Sequence, residues 1–382
     1  MTDLVVISLE PWDEVWRRNQ HLVAGLMSRD PGLRVLFVEP PADPAHALTR
    51  RARPRRGRGL QAAPRPDAIA GEGLWLLEPT KWLPRRVDRR VDERWAARVA
   101  AGAERLGMTQ PVLWVNDPLG AAVLELTGWP ALYDITDDWT VADRTGAEHD
   151  RLLRLDSALL DRCQEVVVCS PGLEASKGVR RRVTLVPNAV DVHAYRVPRV
   201  RPAGLPDVPT AVYVGTVHRD RMDLDLCART ARQAGATGGR LVLVGPVALD
   251  PGDRAPLESA GVVLVGAVDH DDVPAYLQHA DVLVVPHAVT PFTDSLDPIK
   301  LYEYRAVGRP VVATPVAGFR DALDSRVTIA EPAEFPATVA SLLPAERTFP
   351  EGTDVDVPTW SDRVDEMARV LDRLRAAARL RP

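Results

Sequence analysis

A chain of 382 residues is too long for one ordinary domain and comfortable for two. Its 26% charged and 46% apolar residues are ordinary for a globular protein, and a net charge of −5 argues against a general nucleic-acid binder. Cys163, Cys169 and Cys227 stand in no CxxC or His-flanked arrangement, which argues against a disulfide framework or a zinc site.

The opening Met1-Thr2-Asp3 lacks a basic signal-peptide region and no apolar run reaches transmembrane length, so a cytoplasmic protein is expected. Short apolar runs then alternate with amphipathic segments. Strands are expected at 4–8, 34–39, 74–78, 112–116, 131–135, 165–170 and 183–187, with helices near 17–29, 87–106, 119–126 and 151–162. A second series follows, with strands at 211–215, 240–245, 262–266, 281–286, 310–314 and 327–330, and helices around 222–234, 273–279, 299–307 and 334–343. Strands that are apolar throughout and alternate with helices indicate parallel sheets covered on both faces. Prolines at 198, 202, 206 and 209 break any regular element and place the seam between 193 and 209. Residues 360–380 read as an amphipathic helix rich in Arg, Leu and Ala. Two doubly wound domains of this kind bind ligands outside the carboxyl ends of their strands, and a two-domain version puts the site in the cleft.

The first strand runs into Trp12, Trp16, Arg17 and Gln20 with no GxGxxG, and no P-loop occurs anywhere. This counts against a dinucleotide oxidoreductase and a P-loop NTPase. Arg17 and Gln20 near the first helical turn can contact an anion or a sugar; the alternative is a solvated helix start with both tryptophans as packing. Between 50 and 65 the chain reads RRARPRRGRGLQAAPR, with seven arginines and no apolar periodicity. That segment is expected to be a mobile loop, either a solvated insertion or a patch drawing in an anionic acceptor or an anionic membrane surface. Asp117, before Pro118, is as good a cap as a substrate ligand. At the end of the fifth strand, Asp137, Asp138 and Trp139 can orient a sugar hydroxyl or assist proton transfer to a departing phosphate, or Asp137 or Asp138 caps a helix.

In the second series, Gly215-Thr216 lets a phosphate approach the backbone, and Arg219 or Arg221 can complete a cationic clamp, the other being solvated. Val268 ends a strand where backbone groups can meet a nucleobase, and His287 ends the next, though a lone His is more often structural. The run from Asp297 to Thr314 reads as a helix opened by Asp297 and Pro298 and closed by Gly308. Lys300 and Glu303 lie three residues apart on its first turns. A helix N-terminus with a cation beside it holds phosphate, and a carboxylate one turn on accepts hydrogen bonds from a ribose diol. Together these suggest a nucleoside-diphosphate site.

The ordered segments Val186-Pro187-Asn188-Ala189-Val190-Asp191, Tyr213-Val214-Gly215-Thr216, Ala280 to Pro286 and Lys300-Leu301-Tyr302-Glu303-Tyr304 through Pro310 to Thr314 resemble the family-4 retaining glycosyltransferases (glycosyltransferase group 1) of the GT-B fold. Residues 12–22, Phe37-Val38-Glu39-Pro40-Pro41 and Asp137-Asp138-Trp139 are similar to a bacterial subgroup of teichuronic-acid-type transferases. The likeness keeps its order over nearly the whole chain. It implies an α/β fold of two Rossmann-like doubly wound domains facing a central cleft: an acceptor domain over 1–195, a donor domain over 205–350 and a helix at 358–382 crossing back to the first. It further implies transfer of a sugar, with retention, from a UDP-, GDP- or dTDP-sugar to a hydroxyl of a glycan, lipid-linked or small-molecule acceptor. No metal and no cofactor beyond the nucleotide sugar are implied, and closure about the seam would exclude water. By resemblance Lys300 with Arg219 or Arg221 holds the diphosphate and Glu303 the ribose. Gly215, Thr216, Val268, His287, Ser295, Asp297 and Leu301 line the donor, Asp137 stands where the family has a His, and Trp12, Trp16, Arg17, Gln20, Asp117, Asp138 and Trp139 meet the acceptor.

The chain also departs from the family. The first of its two acids, eight positions before Glu303, is Ser295 here, with Asp294 or Asp297 as substitutes; the PNGVD glycine is Ala189, and the glycine-rich first loop is missing. A sugar-nucleotide epimerase and a non-catalytic sugar-nucleotide-binding protein on the same fold are the alternatives, and oligomeric state is left open.

Overall fold

The computed structural model describes residues 3–13, 16–49, 53–63, 73–138, 140, 146–291, 293–343 and 356–379. It divides into two compact units, Met1–Pro187 with Trp360–Pro382, and Asn188–Thr359.

The first unit runs β1 (Asp3–Ile7), α1 (Arg18–Arg29), β2 (Arg34–Val38), α2 (Pro44–Thr49), β3 (Gly59–Ala62), β4 (Leu74–Glu78), α3 (Val91–Arg105), β5 (Val112–Val115), α4 (Ala121–Thr127), β6 (Ala131–Ile135), α5 (Ala147–Arg162), β7 (Glu165–Val168), α6 (Pro171–Gly178) and β8 (Thr184–Leu185). The strand order is β3-β4-β2-β1-β5-β6-β7-β8, parallel except that β3 pairs antiparallel with β4. The middle strands bury both faces, as the run Val112 to Val115 shows, so each reads as a continuous apolar stretch. The order reverses between β1 and β5, the place where open α/β sheets bind ligands.

The second unit runs α7 (Val192–Arg196), β9 (Thr210–Val214), β10 (Val217–His218), α8 (Leu224–Ala236), β11 (Arg240–Val244), β12 (Val247–Ala248), α9 (Pro251–Ser259), β13 (Val263–Gly266), α10 (Val273–Gln278), β14 (Val282–Val285), α11 (Ile299–Val307), β15 (Val311–Ala313), β16 (Val327–Ile329) and α12 (Phe335–Leu342). Six parallel strands stand in the order β13-β11-β9-β14-β15-β16, with the reversal between β9 and β14.

The last helix, α13 (Trp360–Arg379), belongs to the first unit and packs on α1. Its buried stripe Trp360, Val364, Met367, Leu371, Leu374 follows the helical repeat. Gly25 of α1 permits the close crossing, since a Cβ there would lie 2.3 Å from Val364 Cγ2. Trp360 stacks on His21 at 4.5 Å between centroids. Among the described residues no helix is long and apolar enough to cross a membrane.

Every strand expected from the apolar runs is present to within two residues at either end. Two expectations are corrected. The seam lies earlier than 193–209, because residues 188–196 are tied into the second unit: Asn188 binds Asp297, Tyr195 binds Glu303, and Gln278 Nε2 donates to the Tyr195 carbonyl (3.0 Å). The arginine-rich segment is not a structureless loop over its described residues 53–63, for it ends in β3. Glu39 and Glu78, buried at the ends of β2 and β4, need cations, and the Arg58 guanidinium bridges them (2.7 Å and 3.1 Å) with Arg55 adding a second contact to Glu78.

A buried pair also locks α1 to the sheet. Arg18 Nε and Nη2 donate to the two Asp134 oxygens at 3.1 Å and 3.0 Å, and Trp114 Nε1 donates to Asp134 at 3.2 Å. Breaking such a buried pair by removing one partner costs about 3–5 kcal/mol. Arg18→Ala is therefore expected to lower unfolding free energy by that amount with an unchanged m-value in urea. A loss under about 1 kcal/mol, the scale of an exposed ion pair, would contradict the pair's role.

Candidate functional site

The carboxyl ends of β9 and β14 in the second unit gather the most concentrated set of predicted residues. Tyr213, near the end of β9, is fully buried yet carries a phenol hydroxyl that needs partners. Lys300, in the first turn of α11, supplies one: Nζ donates to Tyr213 Oη at 2.9 Å and lies 4.2 Å from the ring centroid. Because an ammonium only donates, the phenol proton is free to point the other way, to His287 Nε2 at 3.2 Å. Burial, with the charges of Lys300 and Arg221 nearby, holds His287 well below the ordinary imidazole range. The ring is neutral and accepts at Nε2.

Gly215 makes this placement of the lysine possible. Its φ is +145°, and a Cβ would lie 2.9 Å from Lys300 Nζ and 3.0 Å from Tyr213 Oη. Helix α11 begins at Ile299 with no side-chain cap, so its first turn keeps N–H groups for a ligand beside an ammonium with two further donors. Gly308 ends it in the left-handed conformation at φ +79°. The expected Asp297 cap is corrected: Pro298 holds that position, while the Asp297 carboxylate accepts from Asn188 N–H and from Tyr302 Oη (2.9 Å). These bonds fix the helix start from both sides.

Glu303, one turn on, accepts from Tyr195 Oη at 2.6 Å. Burial raises its carboxyl above the usual range, opposed by the Tyr195 hydrogen bond and the Lys300 charge. One oxygen thus serves Tyr195, and the carboxylate retains acceptor capacity on the other. Tyr304, fully buried, takes the Val214 N–H (3.1 Å) and pins α11 to β9.

The remaining donor candidates divide. Arg219 is exposed and paired with Asp253 of α9, whereas the charge of Arg221 is felt at His287. Thr216 is exposed beside Gly215, and Val268 is half-buried against the unit's core. Leu301 is a core side chain, and its backbone N–H already donates to the Pro298 carbonyl (2.9 Å). Ser295 is buried in the short turn Thr293–Ser295. Neither substitute for the missing acid is unengaged: Asp294 pairs with Arg320 at 2.8 Å, and Asp297 is committed as above.

In the first unit several of the expected acceptor residues are engaged within the fold. Trp12 is buried in edge contact with Phe37 (5.0 Å), so it offers no stacking face. Gln20 is fully buried, accepting from Arg17 N–H and donating to the Pro11 carbonyl, and is structural. Arg17 caps α1 and pairs with Glu10 and Asp13. Asp117 caps the turn Pro118–Gly120 through the Leu119 N–H (2.8 Å), and burial raises its carboxyl. Asp138 is buried, accepting from Thr140 N–H (3.2 Å) and pairing with Lys177 Nζ at 3.1 Å, which also reaches Asp156. Trp16 and Asp137 remain partly accessible, while Trp139 lies outside the described residues. The sequence reading missed Tyr213, Tyr195, Tyr304 and Asn188, whose signal was only a polar group in or beside an otherwise apolar run. Among the described residues no group of three His, Cys, Asp or Glu side chains is arranged to hold a metal ion.

Comparison with known proteins bears on the same unit. Residues 208–344 match the family model "Glycosyl transferases group 1". A Bacillus subtilis (strain 168) protein provisionally named as a teichuronic acid biosynthesis glycosyltransferase, TuaH, is 24% identical over 219 residues. That match covers 53% of this chain and 55% of the relative, so the chain spans about half the length of that protein. Sucrose-phosphate synthase from Thermosynechococcus elongatus superposes with a TM-score of 0.66 at 19% identity, over 99% of this chain and all of its own. The catalytic domain of Starch Synthase IV from Arabidopsis thaliana, bound to ADP and acarbose, does so at 0.61 and 12%, over 98% and 99%. An Escherichia coli trehalose-6-phosphate structure bound with UDP-2-fluoro glucose gives 0.60 and 14%, over 98% and 96%. The fold is α/β with two Rossmann-like domains, the GT-B class, and the family-model match falls within its second unit.

The neutral His287 generates a pH signature. Its folded pKa lies below the unfolded value of 6.5, so the unfolded chain binds the extra proton and stability falls as pH drops below about 6.5. His287→Gln is expected to remove up to about 1.4 kcal/mol per pH unit of that slope. Urea unfolding between pH 7 and pH 5 (roughly the window of unperturbed His titration) measures it; an unchanged slope would show that His287 titrates normally.

Proposed function

We propose that the protein transfers a sugar from a nucleoside-diphosphate sugar to a hydroxyl group of an acceptor, with retention at the anomeric carbon. The observation that carries the reading is Lys300, held by the ring and hydroxyl of Tyr213 at the uncapped start of α11, over the missing side chain of Gly215. That arrangement supplies a fixed cation and backbone donors at one point, which a diphosphate requires. Glu303, one helical turn away, is the ribose acceptor, with its second oxygen for a hydroxyl.

Cleavage of the donor develops negative charge on the departing phosphate oxygen. Lys300, the first N–H groups of α11 and Arg221 meet that charge, and groups already in place stabilise it most in the transition state. No cofactor or metal is assigned a step; retention and this economy rest on the resemblance of the four ordered segments to family 4, and the hexosyl nature of the transferred group does too. The group 1 match and a similar structure bound with UDP-2-fluoro glucose support a nucleotide-sugar donor, and its being a UDP-, GDP- or dTDP-sugar rests on the resemblance to family 4. The first unit takes the acceptor, with Trp16 and Asp137 as its accessible candidates. Three buried free cysteines suit the cytoplasm as its compartment.

Mass spectrometry of products from nucleotide sugars and candidate hydroxyl acceptors tests the assignment. Losing one preorganised donor of this kind typically costs about two to three decades in rate. Lys300→Ala is expected to lose that much turnover while remaining folded, and Arg221→Ala to fall similarly, with Arg219→Ala close to wild type. Near-normal turnover in Lys300→Ala would sink the reading, and a large loss only in Arg219→Ala would reassign the clamp.

A further inference from the structure

One side of the first unit carries cations and apolar side chains that neither the fold nor the donor site uses. Three segments are stitched together there: Lys81 N–H donates to the Ala42 carbonyl (2.8 Å), Gly57 N–H donates to Thr80 Oγ1 (2.9 Å), and Ala42 bridges Thr80. The patch is therefore a mounted surface. Its inner charges are satisfied, with Arg55 and Arg58 on Glu78 and Glu39, Lys81 on Asp43, Arg85 on Asp92 and Arg94 on Asp88.

Its outer charges are not. Arg53, Arg56, Arg86 and Arg89 are exposed, and none has an acidic partner among the described residues. Trp82, Leu83 and Val87 in the Lys81–Arg89 segment, and Leu48 near the end of α2, stand 48%, 47%, 65% and 64% exposed. The Arg56 guanidinium lies over the Trp82 ring at 4.9 Å. Large apolar groups left in water next to unpaired arginines, on a chain whose net charge is −5, need an occupant that is apolar within and anionic at its face.

We infer that this patch docks the protein on an anionic lipid surface. Trp82 would lie at headgroup level, Leu48, Leu83 and Val87 would reach the acyl boundary, and the four arginines would meet lipid phosphates. A nucleic acid would leave the aliphatic side chains in water. A second copy in a two-fold pair would set this patch against itself and bring the unpaired arginines together. The inference stands apart from the transferase reading; only where both hold does it select lipid-linked hydroxyls as the acceptor class.

Co-sedimentation of the full chain with phosphatidylcholine vesicles, with and without phosphatidylglycerol, at low and physiological salt, reads the docking directly. Binding is expected only to the anionic vesicles, weakening with salt. In Arg56→Ala/Arg86→Ala it should fall about fivefold per arginine removed; in Trp82→Ala/Leu83→Ala it should also fall, with thermal midpoint and nucleotide binding as in wild type. Equal binding to both vesicle types, no binding at low salt, or variants that bind like wild type would overturn the inference. So would capture of inorganic phosphate or single-stranded RNA without vesicle binding, or patch-dependent self-association seen by sedimentation velocity in its place. Vesicle binding that fails while nucleotide binding persists defeats the docking alone.

Discussion

The contact between Lys300 and Tyr213 is the constraint around which the second unit is arranged. A phenol buried at the end of a central strand must be hydrogen-bonded, and the ammonium above it must be held without a carboxylate to neutralise it. Both needs are met because Gly215 has no Cβ to displace the lysine and because His287 stays neutral and can accept a hydrogen bond from the phenol. The helix bearing Lys300 is fixed in turn by Asp297 with Asn188, by Tyr195 with Glu303, and by Tyr304 with Val214. A cation so placed is preorganised for a phosphate, since little reorganisation remains when charge arrives.

The first unit follows a different logic. Its strand ends are also rich in acids, but the structure consumes most of them internally. Glu39 and Glu78 hold Arg58, Asp134 holds Arg18, and Asp138 and Asp156 share Lys177. Acids at the carboxyl ends of parallel strands are thus a mark of position rather than of chemistry. What distinguishes the second unit is that Lys300 makes no ion pair among the described residues and stands at the uncapped start of α11.

The fold was legible because its strands are buried on both faces, and such strands appear as unbroken apolar runs. The edge strand β3 was hidden by the opposite cause: its approach is Arg, Pro and Gly, and it is ordered by charges on Glu39 and Glu78 that lie 19 and 20 residues from Arg58. Lys300 and Glu303 could be read from one helical turn, where spacing alone sets their common side. Their partners could not, since Tyr213 and Tyr195 lie 87 and 108 residues away and only topology brings them close. The sequence left Arg219 and Arg221 as alternatives, since Asp253, which pairs with Arg219, lies 34 residues away in α9. Trp12 and Gln20 were misassigned because a polar or aromatic residue after a strand does not reveal whether it faces inward.

A crystal structure of the full chain grown with uridine or guanosine diphosphate tests the central claim most directly. The account predicts the distal phosphate within hydrogen-bond distance of Lys300 Nζ and of the first N–H groups of α11, with a ribose hydroxyl on Glu303. A diphosphate seated away from Lys300, or a ribose that makes no contact with Glu303, would contradict it.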